Sequence, residues 1–214
     1  MYKLTDDDQR WLAVSAHEWT EDTLITAIQQ HVERPVDIVA DVGANMGMSV
    51  MFLHHFLRPK KIYAVEPGLH QLKIFKTITA EIPKDILSLH ECGVYYGKTE
   101  TTLLLSPDGN SGGDSLEAIA GKVMDYEDRE RSEYTIKLKT LEDLFDTTPG
   151  FLKMDVEGAE YNIVENSTMI HDIPTLLIEW HHKRNTRGFV SGFLPNHEIV
   201  YINDRSCTLL KKVR

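Results

Sequence analysis

Residues 38–47, with the sequence IVADVGANMG, constrain the fold more than any other stretch. A short apolar run closed by small residues is typical of a buried parallel strand that leads into a ligand-binding turn. Gly43 and Gly47 have no Cβ, so the backbone there can bend sharply and lie close to a ligand. Residues 48–53 are mostly apolar and predict a helix, whose first turn presents unpaired N–H groups. We interpret the stretch as a strand, turn and helix that bind a nucleoside-type cofactor, although many such units carry glycines for packing alone.

Glu66 ends a second predicted strand, residues 61–66, immediately before Pro67 and Gly68. It follows Gly47 by 66 − 47 = 19 positions. In nucleotide-binding α/β sheets, an acidic residue about 20 positions after the glycines binds the ribose, since a carboxylate accepts two hydrogen bonds from a vicinal diol. The spacing therefore predicts a ribose-binding residue, and the alternative is a solvated glutamate at a strand end.

A third predicted strand, residues 86–90, ends in Glu91, Cys92 and Gly93. The carboxyl ends of parallel strands meet at one edge of a sheet, so we expect these three residues beside the adenine of the cofactor. A buried Cys92 that only packs in the core is an equal alternative.

Residues 151–160 combine a strand end with three carboxylates, those of Asp155, Glu157 and Glu160. Such a group is repulsive unless a cation or hydrogen-bond donors balance it. A sulfonium, a metal ion or substrate hydroxyls would each serve. An acidic helix start stabilised by the helix dipole explains Glu157 and Glu160 but not Asp155.

The remaining segments predict one three-layer α/β domain with an antiparallel edge. We expect an N-terminal helical segment over residues 1–35, with helices capped by Thr5 and Thr20, and an α/β core over residues 36–214. The core is predicted to contain a helix over 69–82, strands over 101–105, 134–138 and 175–180, a short helix capped by Thr140, and closing strands over 190–202 and 208–213. The glycine-rich residues 108–115 are interpreted as a mobile substrate loop, and residues 125–133 as a solvated charged surface.

The composition of the chain indicates which partners and which cellular compartment to expect. The 214 residues carry 23 Lys and Arg against 33 Asp and Glu, a net charge of −10, which disfavours nucleic acid as a partner. Cys92 and Cys207 show no metal-binding or redox spacing and fit a reducing compartment. The acidic N-terminus does not look like a signal peptide, and no apolar run approaches the roughly 20 residues that span a bilayer. We expect a cytoplasmic protein without a membrane segment, and nothing in the sequence indicates its oligomeric state.

Several of these stretches together resemble the FkbM-type S-adenosylmethionine-dependent methyltransferases. They are DVGANMG at 41–47, VEP at 65–67, TLEDL at 140–144, LKMDVEGAE at 152–160 and IEWH at 178–181. The resemblance implies a Rossmann-like class I methyltransferase fold, with a seven-stranded, mostly parallel sheet whose last strand is antiparallel. It also implies S-adenosylmethionine as cofactor, with Asp41, Gly43 and Gly47 around its methionine moiety and Glu66 on its ribose. The predicted cofactor contacts further include Ala44, Asn45, Pro67 and Asp155.

Methyl transfer to a hydroxyl needs alignment and a base within hydrogen-bond reach. His181 is our candidate base, with Asp155 or Glu179 as an alternative base or as the residue that orients it, while His182 is expected to be structural. Asp155, Glu179 and His181 could also hold Mg²⁺ or Mn²⁺, but no paired spacing demands a metal and none is expected. The acceptor implied by the resemblance is a hydroxyl on a sugar, glycan or secondary metabolite.

Two other functions compete with this interpretation. A nicotinamide-dependent dehydrogenase shares the fold class, but residues 43–47 lack the G-x-G-x-x-G fingerprint. A non-catalytic or regulatory protein that only binds the cofactor would keep the same turn. The presence of Asp41, Glu66 and Asp155 argues against a decayed site.

Overall fold

The computed structural model describes residues 3–18, 22–104, 115–116, 133–181, 186–203 and 207–213. Most of the glycine-rich segment 108–115 and of the charged segment 125–133 lies outside these ranges, as do Thr20 and His182. The helices are α1 (Asp6–Glu18), α2 (Asp22–His31), α3 (Met48–Leu57), α4 (Leu69–Ile78), α5 (Leu141–Leu144), α6 (Glu160–Asn166), a 3₁₀ helix (Met169–Asp172) and α7 (Thr186–Phe193). The strands are β1 (Ile38–Val42), β2 (Lys61–Val65), β3 (Leu87–His90), β4 (Gly93–Val94), β5 (Glu100–Leu104), β6 (Ser115–Leu116), β7 (Glu133–Lys139), β8 (Phe151–Met154), β9 (Thr175–Glu179), β10 (His197–Ile202) and β11 (Cys207–Lys212). No helix among the described residues is both long and apolar enough to cross a membrane.

Seven strands form the main sheet, in the order β10-β11-β9-β8-β1-β2-β3. Strands β3, β2, β1, β8 and β9 are parallel to one another. Strand β11 lies between β9 and β10 and is antiparallel to both. The predicted seven-stranded, mostly parallel sheet with an antiparallel last strand is confirmed.

The register of the parallel strands brings their carboxyl ends to one edge. Val42 at the end of β1 pairs with Val65 of β2 and Met154 of β8, and Met154 pairs with Ile178 of β9. The turns that follow these strands therefore open side by side, where open α/β sheets place their ligands.

Helices cover both faces of the sheet and produce two hydrophobic layers. Successive side chains of a strand point to opposite faces. Accordingly Val39 packs in one layer with α2 and α3, and Ala40 packs in the other with α5 and α6. This burial on both faces explains why β1 and β8 are nearly continuous apolar runs.

The N-terminal helices are part of this packing. The Thr5 hydroxyl accepts a hydrogen bond from the Asp8 N–H at 3.2 Å, and the Thr5 N–H donates to Asp8 Oδ2 at 2.7 Å. This reciprocal cap starts α1 as predicted. Ile28 of α2 is fully buried against the sheet.

Part of the predicted closing strand is a helix instead. Residues 190–193 belong to α7, and β10 begins only at His197. Phe189 and Phe193, four residues apart, stack with ring centroids 4.6 Å apart, and Val190 is buried. Helical spacing brings Phe189 and Val190 together against the core, which an alternating strand pattern would not do. One further bound differs, since the helix predicted over 69–82, α4, ends at Ile78.

A second, four-stranded sheet was not predicted as a unit. Its order is β4-β7-β5-β6. The predicted strands over 101–105 and 134–138 correspond to β5 and β7, which pair antiparallel with each other. Leu103 of β5 and Val94 of β4 are buried, and both line a pocket beside the main sheet.

Candidate functional site

A pocket opens at the carboxyl edge of the main sheet, between the turns that follow β1, β2 and β8. It has an apolar wall and a polar rim. The lining residues are Val42, Gly43, Asn45, Val65, Glu66, Pro67, Gln71, Cys92, Gly93, Val94, Leu103, Asp155, Val156, Glu157 and Ala159. Most of the residues predicted from sequence to bind the cofactor are therefore brought to one place.

The turn after β1 depends on glycine. Gly43 has φ +80°, and a Cβ added to it would lie 1.7 Å from the main-chain oxygen of Asp155. The N–H groups of Gly43 and Ala44 both donate to the Val65 carbonyl, at 2.9 and 3.0 Å. The missing side chain lets the turns after β1 and β8 touch, which closes one side of the pocket.

Glu66 is held rigidly at the pocket. Its side chain accepts a hydrogen bond from the Asn45 N–H at 2.8 Å and from the Gly68 N–H at 2.7 Å. The residue is only 8% exposed. The two main-chain donors fix the carboxylate between the turns after β1 and β2, where the ribose was predicted.

Asp41 does not line the pocket; it lies beneath the turn. It is fully buried, with Oδ1 3.2 Å from Lys153 Nζ. Lys153 Nζ donates to the Gly43 carbonyl at 2.6 Å and lies 3.6 Å from Asp155 Oδ2. Burial alone would lower the pKa of Lys153, but the charges of Asp41 and Asp155 raise it above its ordinary value. Asp41 therefore supports the turn through Lys153.

Sequence reasoning missed Lys153, although a signal was present. All four residues of β8 are buried, and lysine is almost never fully buried without a partner. A lysine inside an apolar parallel strand, one strand away from Asp41, pointed to a buried ion pair.

The residues after β3 divide between pocket and surface. Cys92 and Gly93 line the pocket as predicted, beside Val94 and Leu103. Glu91 does not line it, because its half-exposed carboxylate pairs with Lys76 of α4. Ala44 and Gly47 are buried and do not line it either; a Cβ on Gly47 would lie 3.0 Å from Phe75.

The acid–histidine cluster, which we define as Asp155, Glu157, Glu160 and His181, lies between the turns after β8 and β9. Asp155 and Glu157 line the pocket, whereas Glu160 and the predicted base His181 do not. His181 Nδ1 lies 2.8 Å from Glu160 Oε1. His181 Nε2 lies 3.2 Å from Glu157 Oε2 and 3.9 Å from Asp155 Oδ1. The side chains of Asp155, Glu157 and His181 are 30%, 24% and 22% exposed, so solvent reaches all three.

Glu160 organises the turn that carries the other two acids. It is fully buried, and its Oε1 accepts hydrogen bonds from the Val156 and Gly158 N–H groups at 3.2 and 3.1 Å. Glu157 sits at the tip of this turn with φ +52°, and Gly158 follows with φ +108°. The same carboxylate thus shapes the turn and holds the His181 ring.

Charge crowding raises pKa values in the cluster. Burial alone would lower the pKa of His181, but the hydrogen bond to Glu160 and the charges of Glu160, Glu157 and Asp155 raise it to about 10. For Glu157, in contrast, burial is the main cause of a raised pKa, and the charges of Asp155 and Glu160 raise it further. His181 is therefore an imidazolium at neutral pH in this arrangement. His181 as the base stays a prediction, and it requires that the ring first lose this proton.

The set of possible metal ligands also differs from the prediction. Asp155, Glu157 and His181 each offer a ligand atom, and these atoms lie within 4.8 Å of one another. Glu179, the predicted partner, is not in this set; Glu157 takes its place. Glu157 has a left-handed backbone conformation, and its side chain lies beside those of Asp155 and His181. No spacing in the sequence predicts this position.

The comparisons with known proteins agree with this geometry. A family model described as the methyltransferase FkbM domain matches residues 41–207. The methyltransferase FkbM from Methylobacillus flagellatus KT is similar with a TM-score of 0.54 and 17% identity over 96% of this chain and 59% of that one. A protein of the NADB-Rossmann superfamily from Streptococcus agalactiae gives 0.53 and 10%, over 91% and 70%. A ribosomal protein L11 methylase from Lactobacillus delbrueckii subsp. bulgaricus gives 0.50 and 11%, over 89% and 76%.

These structural likenesses concern the fold, since all three identities are low, and the chain spans 59% of the length of the FkbM structure. No curated protein sequence matches significantly. The family model is more specific. It spans 207 − 41 + 1 = 167 of the 214 residues and includes the glycine turn, Glu66 and the acid–histidine cluster. The chain therefore belongs to the FkbM methyltransferase domain family.

Proposed function

We propose that this chain transfers a methyl group from S-adenosylmethionine to a hydroxyl oxygen of a sugar, glycan or other small metabolite. The observation that carries the proposal is the pocket that joins the glycine turn, Glu66 and the acid–histidine cluster at one edge of the sheet. Family membership supports methyl transfer as the reaction class. The oxygen acceptor and its chemical class are our inference from the site.

The residues of the pocket fit the proposed cofactor. Each oxygen of Glu66 accepts one main-chain hydrogen bond, and because a carboxylate oxygen can accept more than one, the group suits the two hydroxyls of a ribose. Val65, Cys92, Val94 and Leu103 form an apolar wall for a purine ring. The acidic rim matches the positive charge of a sulfonium.

The chain's own groups would prepare the acceptor. When bound, S-adenosylmethionine supplies an electrophilic methyl group, and its C–S electron pair stays on sulfur as S-adenosylhomocysteine forms. Asp155 and Glu157 can accept hydrogen bonds from a hydroxyl and so orient its oxygen at the pocket mouth. Alignment of this kind contributes much of the acceleration available to such a displacement.

The charge of the chain supports a small or uncharged acceptor. A net charge of −10 and an acidic rim repel phosphate backbones. Carboxylates at the rim suit hydroxyl-rich molecules, which donate hydrogen bonds to them. Sugars and glycans are therefore the first acceptors to screen.

Isothermal titration calorimetry with S-adenosylhomocysteine tests the cofactor assignment. We expect saturable binding by the wild type and binding at least about tenfold weaker in Glu66→Gln, because a hydrogen-bonded charge is worth roughly 1.5–3 kcal/mol. Glu81→Gln, an exposed substitution away from the pocket, is the matched control and should bind like the wild type. NAD should not bind.

Mass spectrometry of reactions with hydroxylated acceptors then tests the transfer. The gain of one methyl group on oxygen supports the proposal. Binding of S-adenosylhomocysteine without transfer across a broad panel would favour a non-catalytic binding protein. Absence of S-adenosylhomocysteine binding would overturn the cofactor assignment itself.

A further inference from the structure

The ligand atoms of Asp155, Glu157 and His181 lie within 4.8 Å of one another beside the pocket. Adjacent ligand atoms around a six-coordinate ion with bonds of about 2.1 Å lie roughly 3 Å apart. The 3.2 Å from His181 Nε2 to Glu157 Oε2 matches adjacent ligands, and the 3.9 Å to Asp155 Oδ1 matches a wider ligand angle. Carboxylate and imidazole ligands together suit Mn²⁺ and related hard divalent cations.

His181 is oriented as a metal-bound histidine would be. Glu160 engages Nδ1 at 2.8 Å and leaves Nε2 facing the two other carboxylates. A carboxylate behind the histidine ring is the usual outer-shell partner of a metal ligand, because it fixes the ring and increases its basicity.

The balance of buried charge also calls for a cation. Glu160 is fully buried, and its Oε2 has no hydrogen-bond partner among the described residues. Three carboxylates thus surround one imidazole. The neighbouring cation, Lys153, lies 3.6 Å from Asp155 Oδ2 but is shared with Asp41 and the Gly43 carbonyl. A divalent cation would balance this excess negative charge.

We propose that Asp155, Glu157 and His181 bind one divalent cation of the Mg²⁺ and Mn²⁺ type at the edge of the cofactor pocket. The three side chains are 22–30% exposed, so a hydrated ion can enter and keep coordination positions open. Glu160 acts as a positioning residue through its bond to His181.

The role of the cation rests on the proposed methyl transfer. An acceptor hydroxyl bound at an open coordination position becomes more acidic and releases its proton to solvent water. The oxygen lone pair then forms the new C–O bond while the C–S bond breaks and its electron pair returns to sulfur. The products are a methyl ether, S-adenosylhomocysteine and one proton. The cation binds the neutral form of His181, so the ring acts as a ligand and the cation activates the acceptor.

Mn²⁺ binding to the whole chain, followed by the loss of the electron paramagnetic resonance signal of free Mn²⁺, tests the site without any reaction. We expect one saturable site per chain. Glu157→Gln removes a charged ligand and should weaken binding at least about tenfold. Glu165→Gln, an exposed change on α6, is the matched control and should bind Mn²⁺ like the wild type.

Circular dichroism shows whether each variant is folded, and titration with S-adenosylhomocysteine shows whether its cofactor pocket is intact. If Glu157→Gln is folded and binds S-adenosylhomocysteine but has lost the Mn²⁺ site, the inference holds. If the wild type binds no Mn²⁺, with or without S-adenosylhomocysteine, or if folded Glu157→Gln binds it equally well, the inference is overturned. Neither result removes the proposed cofactor, because its binding is measured separately.

Discussion

Lys153 supports the glycine-containing turn that follows β1. It connects buried Asp41 to the carbonyl of Gly43 and approaches Asp155 at the pocket. A buried ion pair contributes little net stability compared with apolar residues, but breaking it leaves an uncompensated charge. The pair therefore acts mainly by specifying the turn geometry.

Lys153→Met is expected to lower the free energy of unfolding by about 3–5 kcal/mol, because Asp41 would remain buried without its cation. Adding Asp41→Asn removes that charge and should recover part of the loss. Urea unfolding of the wild type, both single variants and the double variant measures the coupling. A double variant less stable than Lys153→Met would contradict the ion-pair argument.

Gly43 and Gly97 allow the backbone and packing requirements to be separated. Both have positive φ, +80° and +91°, but a Cβ meets the Asp155 main chain at Gly43 and nothing within 4 Å at Gly97. Gly97→Ala should cost only about 1–2 kcal/mol for the left-handed conformation. Gly43→Ala should cost clearly more, since the two turns must separate. Equal losses of unfolding free energy would show that the contact between the turns is unimportant.

Single residues were predictable where their role follows from position along the chain. Glu66 follows a strand end at the spacing of nucleotide-binding sheets, and it does line the pocket. Glu91 was expected there for the same reason, but it pairs with Lys76 because a strand end offers a side chain more than one direction. The roles of Lys153 and Glu157 depend on which strands become neighbours and on a left-handed turn. Local sequence patterns mark Lys153 as a charge in a buried strand but do not identify its partner, and they do not report the turn at Glu157.

At the scale of elements, α5 is a four-residue helix secured by its polar contacts. Thr140 and Asp143 cap it reciprocally, as the predicted Thr140 cap requires. Glu142 Oε1 accepts hydrogen bonds from Ser167 Oγ at 2.8 Å and the Met169 N–H at 3.0 Å, and Tyr96 donates to Glu142 Oε2. One carboxylate thus connects α5, the 3₁₀ helix and the segment after β4.

Glu142→Gln should destabilise the fold at neutral pH but not at low pH. Burial alone would raise the pKa of Glu142, but hydrogen bonds from Tyr96, Met169 and Ser167 lower it from 4.5 to about 2. A carboxylate whose pKa is lower in the folded state stabilises it above the unfolded pKa, and this contribution disappears as the pH falls from about 4.5 to about 2.

We expect a difference of about 1–2 kcal/mol at pH 7, discounted because the side chain is exposed to solvent. Urea unfolding of both proteins between pH 7 and pH 2 measures it. The difference should shrink as Glu142 of the wild type becomes protonated. A gap independent of pH would mean that the carboxylate charge does not matter.

Elements were predictable where their periodicity is strong. The parallel strands and the helices between them follow from buried apolar runs and caps. The segment 186–193 shows the limit, because its aromatic and β-branched residues favour a strand locally, while α7 packs Val190 and Phe189 against the core at helical spacing. Tertiary packing decided between the two.

For the whole molecule, the N-terminal helices belong to the same hydrophobic core as the sheet. The family match begins at residue 41, yet Ile28 of α2 packs in one layer with Val39, Leu177 and Leu209. We infer that residues 22–32 fold cooperatively with the core of the domain.

Ile28→Ala should therefore lower the stability of the whole domain, by about 2–5 kcal/mol for a fully buried side chain. Val14→Ala, on the exposed side of α1, should change it by less than about 0.5 kcal/mol. Thermal unfolding followed by circular dichroism should show one transition, shifted downwards for Ile28→Ala. If instead a separate transition appeared at lower temperature, and only that transition shifted in Ile28→Ala, the N-terminal helices would unfold independently of the core.

The position of β11 between β9 and β10 has a consequence for synthesis on the ribosome. Strand β11 is the last of the strands along the chain, yet it lies between β9 and β10 and hydrogen-bonds to both. The edges of β9 and β10 that face β11 therefore stay unpaired until residues 207–212 emerge from the ribosome. The nascent chain therefore carries two unpaired strand edges, which are prone to aggregation. Chains stalled before residues 207–212 have left the ribosome should be digested rapidly by protease, and chains in which these residues have emerged should be resistant. The sheet is therefore completed only when the last of its strands along the chain enters an interior position.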